Sequence, residues 1–180
     1  MKPSHSSRGQ AAESVIEQVH ENYILQRRVR SAIRLQPPFR IVGPVVNGYT
    51  RVQLLGKGPV DWLIQMTDGR TLVFDVKSTI ADRWKFSELP EKQAAILDAF
   101  DPPGGSPHSL AGVMLCLAGR WFWLRWGATW VDGVLLKQGL RYGYSMWRDK
   151  SMKAPASLTA EEAAFIGVEF GMGDWIGAVR

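Results

Sequence analysis

Apolar residues recur at helical spacing from Ala12 through Val15, Ile16, Val19, Tyr23 and Ile24, with Glu and Gln between them, which predicts one amphipathic helix. Arg27, Arg28, Arg30 and Arg34 follow, then Pro37-Pro38. Proline lacks the amide proton a helix needs, so the helix is expected to end before Gln36. From Phe39 to Leu55 the pattern turns β-branched and aliphatic. Gly43-Pro44 and the hairpin dipeptide Asn47-Gly48 break it, which predicts a β-ribbon. Two clearer strands, Asp61 to Met66 and Thr71 to Lys77, flank Thr67-Asp68-Gly69, where Gly69 tolerates a positive φ. Leu89 to Phe100 reads as a second helix, stopped by Asp101-Pro102-Pro103-Gly104-Gly105. Leu110 to Cys116 and Trp121 to Trp126 read as strands around Ala118-Gly119-Arg120, and Thr159 with Glu162 three residues on reads as a helix start with a capping box.

A chain of 180 residues with 46% hydrophobic content supports one core, so residues 1–180 read as a single domain with 1–7 as a tail. The net charge of +5 favours a polyanionic partner, nucleic acid ahead of anionic lipid. The longest apolar run, Leu110 to Leu117, is short of the roughly 20 residues that a bilayer crossing requires, and the charged amphipathic start does not read as a secretory signal. Cys116 is the only cysteine, which excludes an intrachain disulfide. Its apolar neighbours predict a buried thiol in a reducing compartment. His5, His20 and His108 lack metal-ligand spacing and read as surface residues.

Chemistry enters with the second of the two strands. Side chains alternate along a strand, so Asp75 and Lys77 share one face and Leu72, Phe74 and Val76 the other. A three-residue turn at Thr67-Asp68-Gly69 pairs Met66 with Arg70 and sets Asp61 opposite Asp75. A two-residue Asp68-Gly69 turn would send these carboxylates to opposite faces. Adjacent carboxylates repel unless a cation lies between them, and Mg²⁺ commonly takes one or two carboxylates and fills its shell with water and phosphate oxygens. Mn²⁺ is expected to substitute. Asp75 and Lys77 alone would equally suit a solvated ion pair. The order Gly58-Pro59-Val60-Asp61, hairpin, Phe74-Asp75-Val76-Lys77, helix is more specific.

That order is the signature of PD-(D/E)xK nucleases. Arg8-Gly9-Gln10-Ala11-Ala12-Glu13 resembles the RG-x-x-x-E opening of RecU-type and archaeal Holliday junction resolvases. Phe86 with Leu89-Pro90-Glu91-Lys92-Gln93 resembles the RecU segment ending in H-E-H-Q. Lys150-Ser151-Met152 with Pro155 resembles its K-S-I-P, and Asp174-Trp175-Ile176 its terminal D-Y-I. The chain departs from the family in carrying Asp75 for the commoner glutamate and two extra residues before Pro155. The resemblance implies a restriction-endonuclease-like α/β core, a mixed sheet flanked by helices, with residues 39–57 as a stalk-like ribbon. It implies a metal held by Asp61, Asp75, the Val76 carbonyl and Glu13, with Lys77 and Gln93 assisting. It further implies a homodimer that cuts four-way DNA junctions with Mg²⁺ in recombination, repair or phage DNA processing, in a bacterial cytoplasm. A restriction or repair endonuclease on the same scaffold, or a catalytically silent DNA-binding module, is the alternative.

Arg8, Arg27, Arg28, Arg34, Arg40, Arg51 and Lys57 are candidates for DNA phosphates, although Arg27 to Arg34 equally suit a solvated helix end and Arg40 to Lys57 an exposed ribbon. Trp121 and Trp123 alternate with Phe122, Leu124 and Trp126, so one set is expected to pack the core and the other a dimer or DNA surface.

Overall fold

A computed structural model of the chain describes the backbone of residues 5–36, 39–41, 52–54, 58–103, 108–131, 134–171 and 174–179, and their side chains except at 5–13, 39–41, 52–54, 130–131 and 134–136. Helix α1, His5–Leu25, already begins within the expected tail. It stops at Arg27, whose φ of 56° is left-handed, with Arg27 N donating to Ile24 O and Arg28 N to Tyr23 O at 3.0 and 2.9 Å. This is a Schellman-type end with arginine where glycine is usual. Arg27 and Arg28 thus stand at the helix end, whereas Arg30 and Arg34 belong to strand β1, Val29–Arg34.

Short strands β2, Phe39–Ile41, and β3, Val52–Leu54, pair antiparallel as the base of the expected ribbon, whereas Gly43-Pro44 and Asn47-Gly48 fall outside the described residues. Then come β4, Trp62–Met66, β5, Thr71–Thr79, and β6, Arg83–Lys85. Helix α2, Glu91–Phe100, starts after Pro90, a residue whose fixed φ suits the edge of a helix. Next are β7, Ser109–Leu117, and β8, Arg120–Arg125, joined through Ala118 and Gly119, both at positive φ. The chain continues with β9, Thr129–Val131, β10, Val134–Lys137, α3, Leu140–Arg148, and β11, Ser157–Thr159, and ends in α4, Ala160–Ile166, and β12, Val168–Phe170. A 3-10 turn, Trp175–Val179, follows. The capping box at the start of α4 is present: Glu162 N donates to Thr159 Oγ1 and Thr159 N to Glu162 Oε2.

One mixed six-stranded sheet, in the order β1-β4-β5-β7-β8-β12, organises the molecule as an α/β fold. Among the described residues only β5 and β7 run parallel, with α2 in the connection between them. Each face of the sheet is covered. On one, Val60, Val73, Val113, Phe122 and Leu124 pack with Ala94 and Leu97 of α2. On the other, Trp62, Phe74, Met114 and Trp123 pack with Ile16 and Tyr23 of α1 and with Trp175 and Ile176.

Three sequence expectations change here. Trp121 and Trp123 are buried like Phe122, Leu124 and Trp126, because α1 and the C-terminal turn cover the face expected to be open. His20 is buried, wedged edge-on against Trp62 and Trp175 with ring centroids 4.3 and 5.3 Å away. Cys116 is only half-buried. Among the described residues no helix is long and apolar enough to cross a membrane.

Candidate active site

The β4–β5 hairpin sets the geometry. Gln65, Ile64, Leu63 and Trp62 face Thr71, Leu72, Val73 and Phe74, and Met66 N donates to Arg70 O at 2.8 Å. The turn therefore has three residues, Thr67 to Gly69, and Gly69 sits at φ 93°, where a side chain would be strained. Asp68 steadies it, accepting from Arg70 N at 3.0 Å and Arg70 Nε at 2.9 Å.

This register, carried one step beyond Trp62, brings Asp61 to Asp75. There the backbone leaves the regular ladder: Asp61 N donates to Phe74 O at 3.2 Å, and the Asp61 carboxylate replaces a backbone acceptor, taking Val76 N on Oδ2 at 2.7 Å. Asp61 is thereby fixed against the strand it faces, while part of it stays accessible.

Asp75 is fully buried on the α2 face, paired with Val113 of β7 on its other side. Burial pushes its carboxyl up to about 7. The Lys77 ammonium opposes the rise, and the neighbouring Asp61 carboxylate adds to it. Lys77 Nζ lies 2.5 Å from Asp75 Oδ2, but outside hydrogen-bond alignment, so this oxygen has a cation beside it and no directed donor. Gln93, in the first turn of α2, bridges the pair: its Nε2 donates to Asp75 Oδ1 at 2.7 Å, and its Oε1 accepts from Lys77 Nζ at 3.2 Å.

Asp61, Asp75, Val76, Lys77 and Gln93 thus meet at one place. Glu13 and Arg8 belong to α1, which packs on the opposite face of the sheet, and their side chains lie outside the described residues. Arg51 and Lys57 also lie outside them, and Arg40 is described only as backbone of β2. Arg34 is beside the centre, since it pairs with Trp62 across β1 and β4 and the next residue, Leu35, donates to Asp61 O at 2.8 Å. Arg27 and Arg28 sit at the other end of β1, near Met66. Arg28 is engaged there by Asp174 at 2.7 Å and stacks over Tyr23.

Among the described residues no three His, Cys, Asp or Glu converge. The donor set is two carboxylates, one half-exposed and one buried with an undirected oxygen, and a lysine already holds positive charge against that oxygen. This fits a hard divalent cation that keeps several of its own waters. It does not fit a fully protein-enclosed ion. Sequence reasoning missed the direct tie between Asp61 and Val76 N, which depends on the chain leaving the ladder at one residue. No known family model matches the chain, and no curated protein matches it.

Proposed function

We propose that the protein is a metal-dependent DNA endonuclease of the PD-(D/E)xK type, acting as a RecU-type Holliday junction resolvase. The observation that carries this reading is the hairpin register that gathers Asp61, Asp75 and Lys77 on one side, with Gln93 across them. A carboxylate buried at the cost of desolvation beside a second carboxylate is a poor structural choice, and such perturbed groups concentrate at functional sites. Asp61, Asp75 and the Val76 carbonyl would hold Mg²⁺ or Mn²⁺; Glu13, which the resemblance adds to the ligands, belongs to the helix on the other face of the sheet and is left out of this set. When bound, the ion supplies polarisation of the scissile phosphate and a more acidic water.

The chain's own residues do the rest. Lys77, held by Asp75 and Gln93, places a positive charge where a phosphate oxygen gains negative charge during in-line attack, the stage at which electrostatic stabilisation is most effective. Both ends of the Gln93 amide are occupied by Asp75 and Lys77, so it fixes their orientation. Val113, Leu115 and Leu97 wall the α2 face and exclude water from the inner side. The resolvase part of the reading rests on the sequence resemblance. A homodimer follows from substrate logic, since opening a four-way junction takes two symmetric cuts.

Four-way junctions and matched linear duplex, incubated with and without Mg²⁺, test this directly. The expected result is preferential, Mg²⁺-dependent cutting of the junction by the natural protein and loss of cutting in Asp75→Asn and Lys77→Ala. Preferential cutting of linear duplex would retain the nuclease centre and discard the resolvase reading.

A further inference from the structure

Helix α3 ends beside the first turn of α2. Arg148 Nη2 meets Glu91 Oε1 at 2.7 Å, and Tyr144 Oη donates to the Leu89 carbonyl at 3.2 Å. Two residues on from Glu91 is Gln93, which holds Asp75 and Lys77. At this junction Trp147, Arg148 and Lys150 line an open cleft of about 410 Å³. Trp147 is half-buried, packed inward on Tyr144 and Phe86 with ring centroids 5.5 and 6.1 Å away. That packing holds the indole still while the rest of it reaches the cleft. Arg148 and Lys150 are exposed, and Lys150 makes no ion pair among the described residues. Asp149 lies between them, but its Oδ1 is occupied by Ser151 N at 3.0 Å and Ser151 Oγ at 2.6 Å, which turns its charge into its own loop.

We propose that this cleft is a second nucleic-acid subsite, which takes an unpaired nucleotide flanking the phosphodiester presented to Asp75 and Lys77. The base stacks on Trp147, and the adjoining phosphates meet Lys150 and those N–H groups of Arg148 that Glu91 does not hold. An indole fixed on one side and open on the other is a platform that accepts any base, and a guanidinium beside it matches phosphate oxygens. An acidic peptide would satisfy the two cations but offers no flat ring to Trp147. The placement beside a scissile bond rests on the nuclease reading above, whereas binding in the cleft rests on its own residues.

The test is the affinity of the full chain for a short single-stranded DNA carrying 2-aminopurine, measured without divalent metal. It compares the natural protein with Trp147→Leu, Trp147→Phe and Lys150→Glu, each checked by thermal melting. Trp147→Leu is expected to weaken binding roughly tenfold and to remove the fluorescence quenching that stacking produces, with Trp147→Phe recovering part of both. Lys150→Glu is expected to weaken binding several-fold and to reduce the salt slope by about one. Should Trp147→Leu melt early, the other two variants carry the test. Variants that melt and bind like the natural protein would overturn the proposal, as would tighter binding of polyglutamate than of the oligonucleotide. Cleavage by the natural protein with variant binding unchanged removes the subsite and keeps the nuclease. Weakened variant binding with no cleavage by the natural protein supports the cleft and removes the nuclease.

Discussion

Asp75 has no surface in water, with Val113 on one flank and the Asp61 carboxylate on the other. Its folded pKa of about 7 lies above the ordinary 3.8, so the folded protein binds this proton more tightly than the unfolded chain does. The stability this contributes is fully present below the unfolded value and is lost as pH rises from about 4 to about 7, by an amount on the order of 4 kcal/mol. Asp75→Asn removes the titration. In metal-free urea unfolding the variant should gain on the natural protein between about pH 4 and about pH 7. A difference that stays constant with pH would contradict a buried, proton-holding Asp75. His20 carries the opposite sign. Burial holds it down to about 4 against 6.5, so its stability is present above 6.5 and is lost as pH falls towards 4. His20→Leu should flatten the acid limb of the melting-temperature profile, and an unchanged limb would place the acid sensitivity elsewhere. Ile16 and Tyr23 marked the buried side of α1 at this scale, but His20, four residues from Ile16 and three from Tyr23 on the same stripe, was read as a surface residue and is buried instead. The pairing of Asp61 with Asp75 was legible too, since a turn length and a period of two decide it. Gln93 was reachable only through resemblance, because no local spacing ties residue 93 to residue 75.

Among the elements, the long and strongly patterned ones were readable, and short ones only where a turn or a capping box marked them, as at β2, β3 and the start of α4. β1 escaped because α1 stops on a left-handed arginine instead of a glycine, and because Arg30, Ser31 and Arg34 dilute its apolar pattern. β6, β9, β11 and β12 have three residues each, too few for an alternation to show. The contact between β7 and β8 has a feature no pattern reveals. A Cβ at Gly112 would lie 2.6 Å from the Leu124 carbonyl and 2.6 Å from the Trp123 indole, so only glycine lets that ring cross the strand. Gly112→Ala is therefore expected to destabilise the fold by about 1–3 kcal/mol in denaturant unfolding. A neutral substitution would show that β7 and β8 are less closely packed than described.

At the scale of the whole molecule, the sheet is closed in on both faces, and its catalytic candidates gather at β4, β5 and the start of α2. The positive net charge suits a DNA partner without specifying one, and Trp121, Trp123 and Trp126, of which one set was expected at a dimer or DNA surface, are all interior. The α/β class and the convergence of Asp61, Asp75 and Lys77 were readable because strand alternation, turn chemistry and helix stops all point the same way. The covering of the second face was not, since it depends on the C-terminal turn folding back beneath α1. The central claim is that the hairpin carries a metal-dependent nuclease centre, and the most direct measurement of it is the single-turnover rate of DNA cleavage in Mg²⁺ or Mn²⁺. The natural protein should cut, and Asp75→Asn and Lys77→Ala should be slower by about 100-fold or more while still binding DNA. Cutting by these variants at the natural rate, or no cutting by the natural protein in either metal, would contradict it.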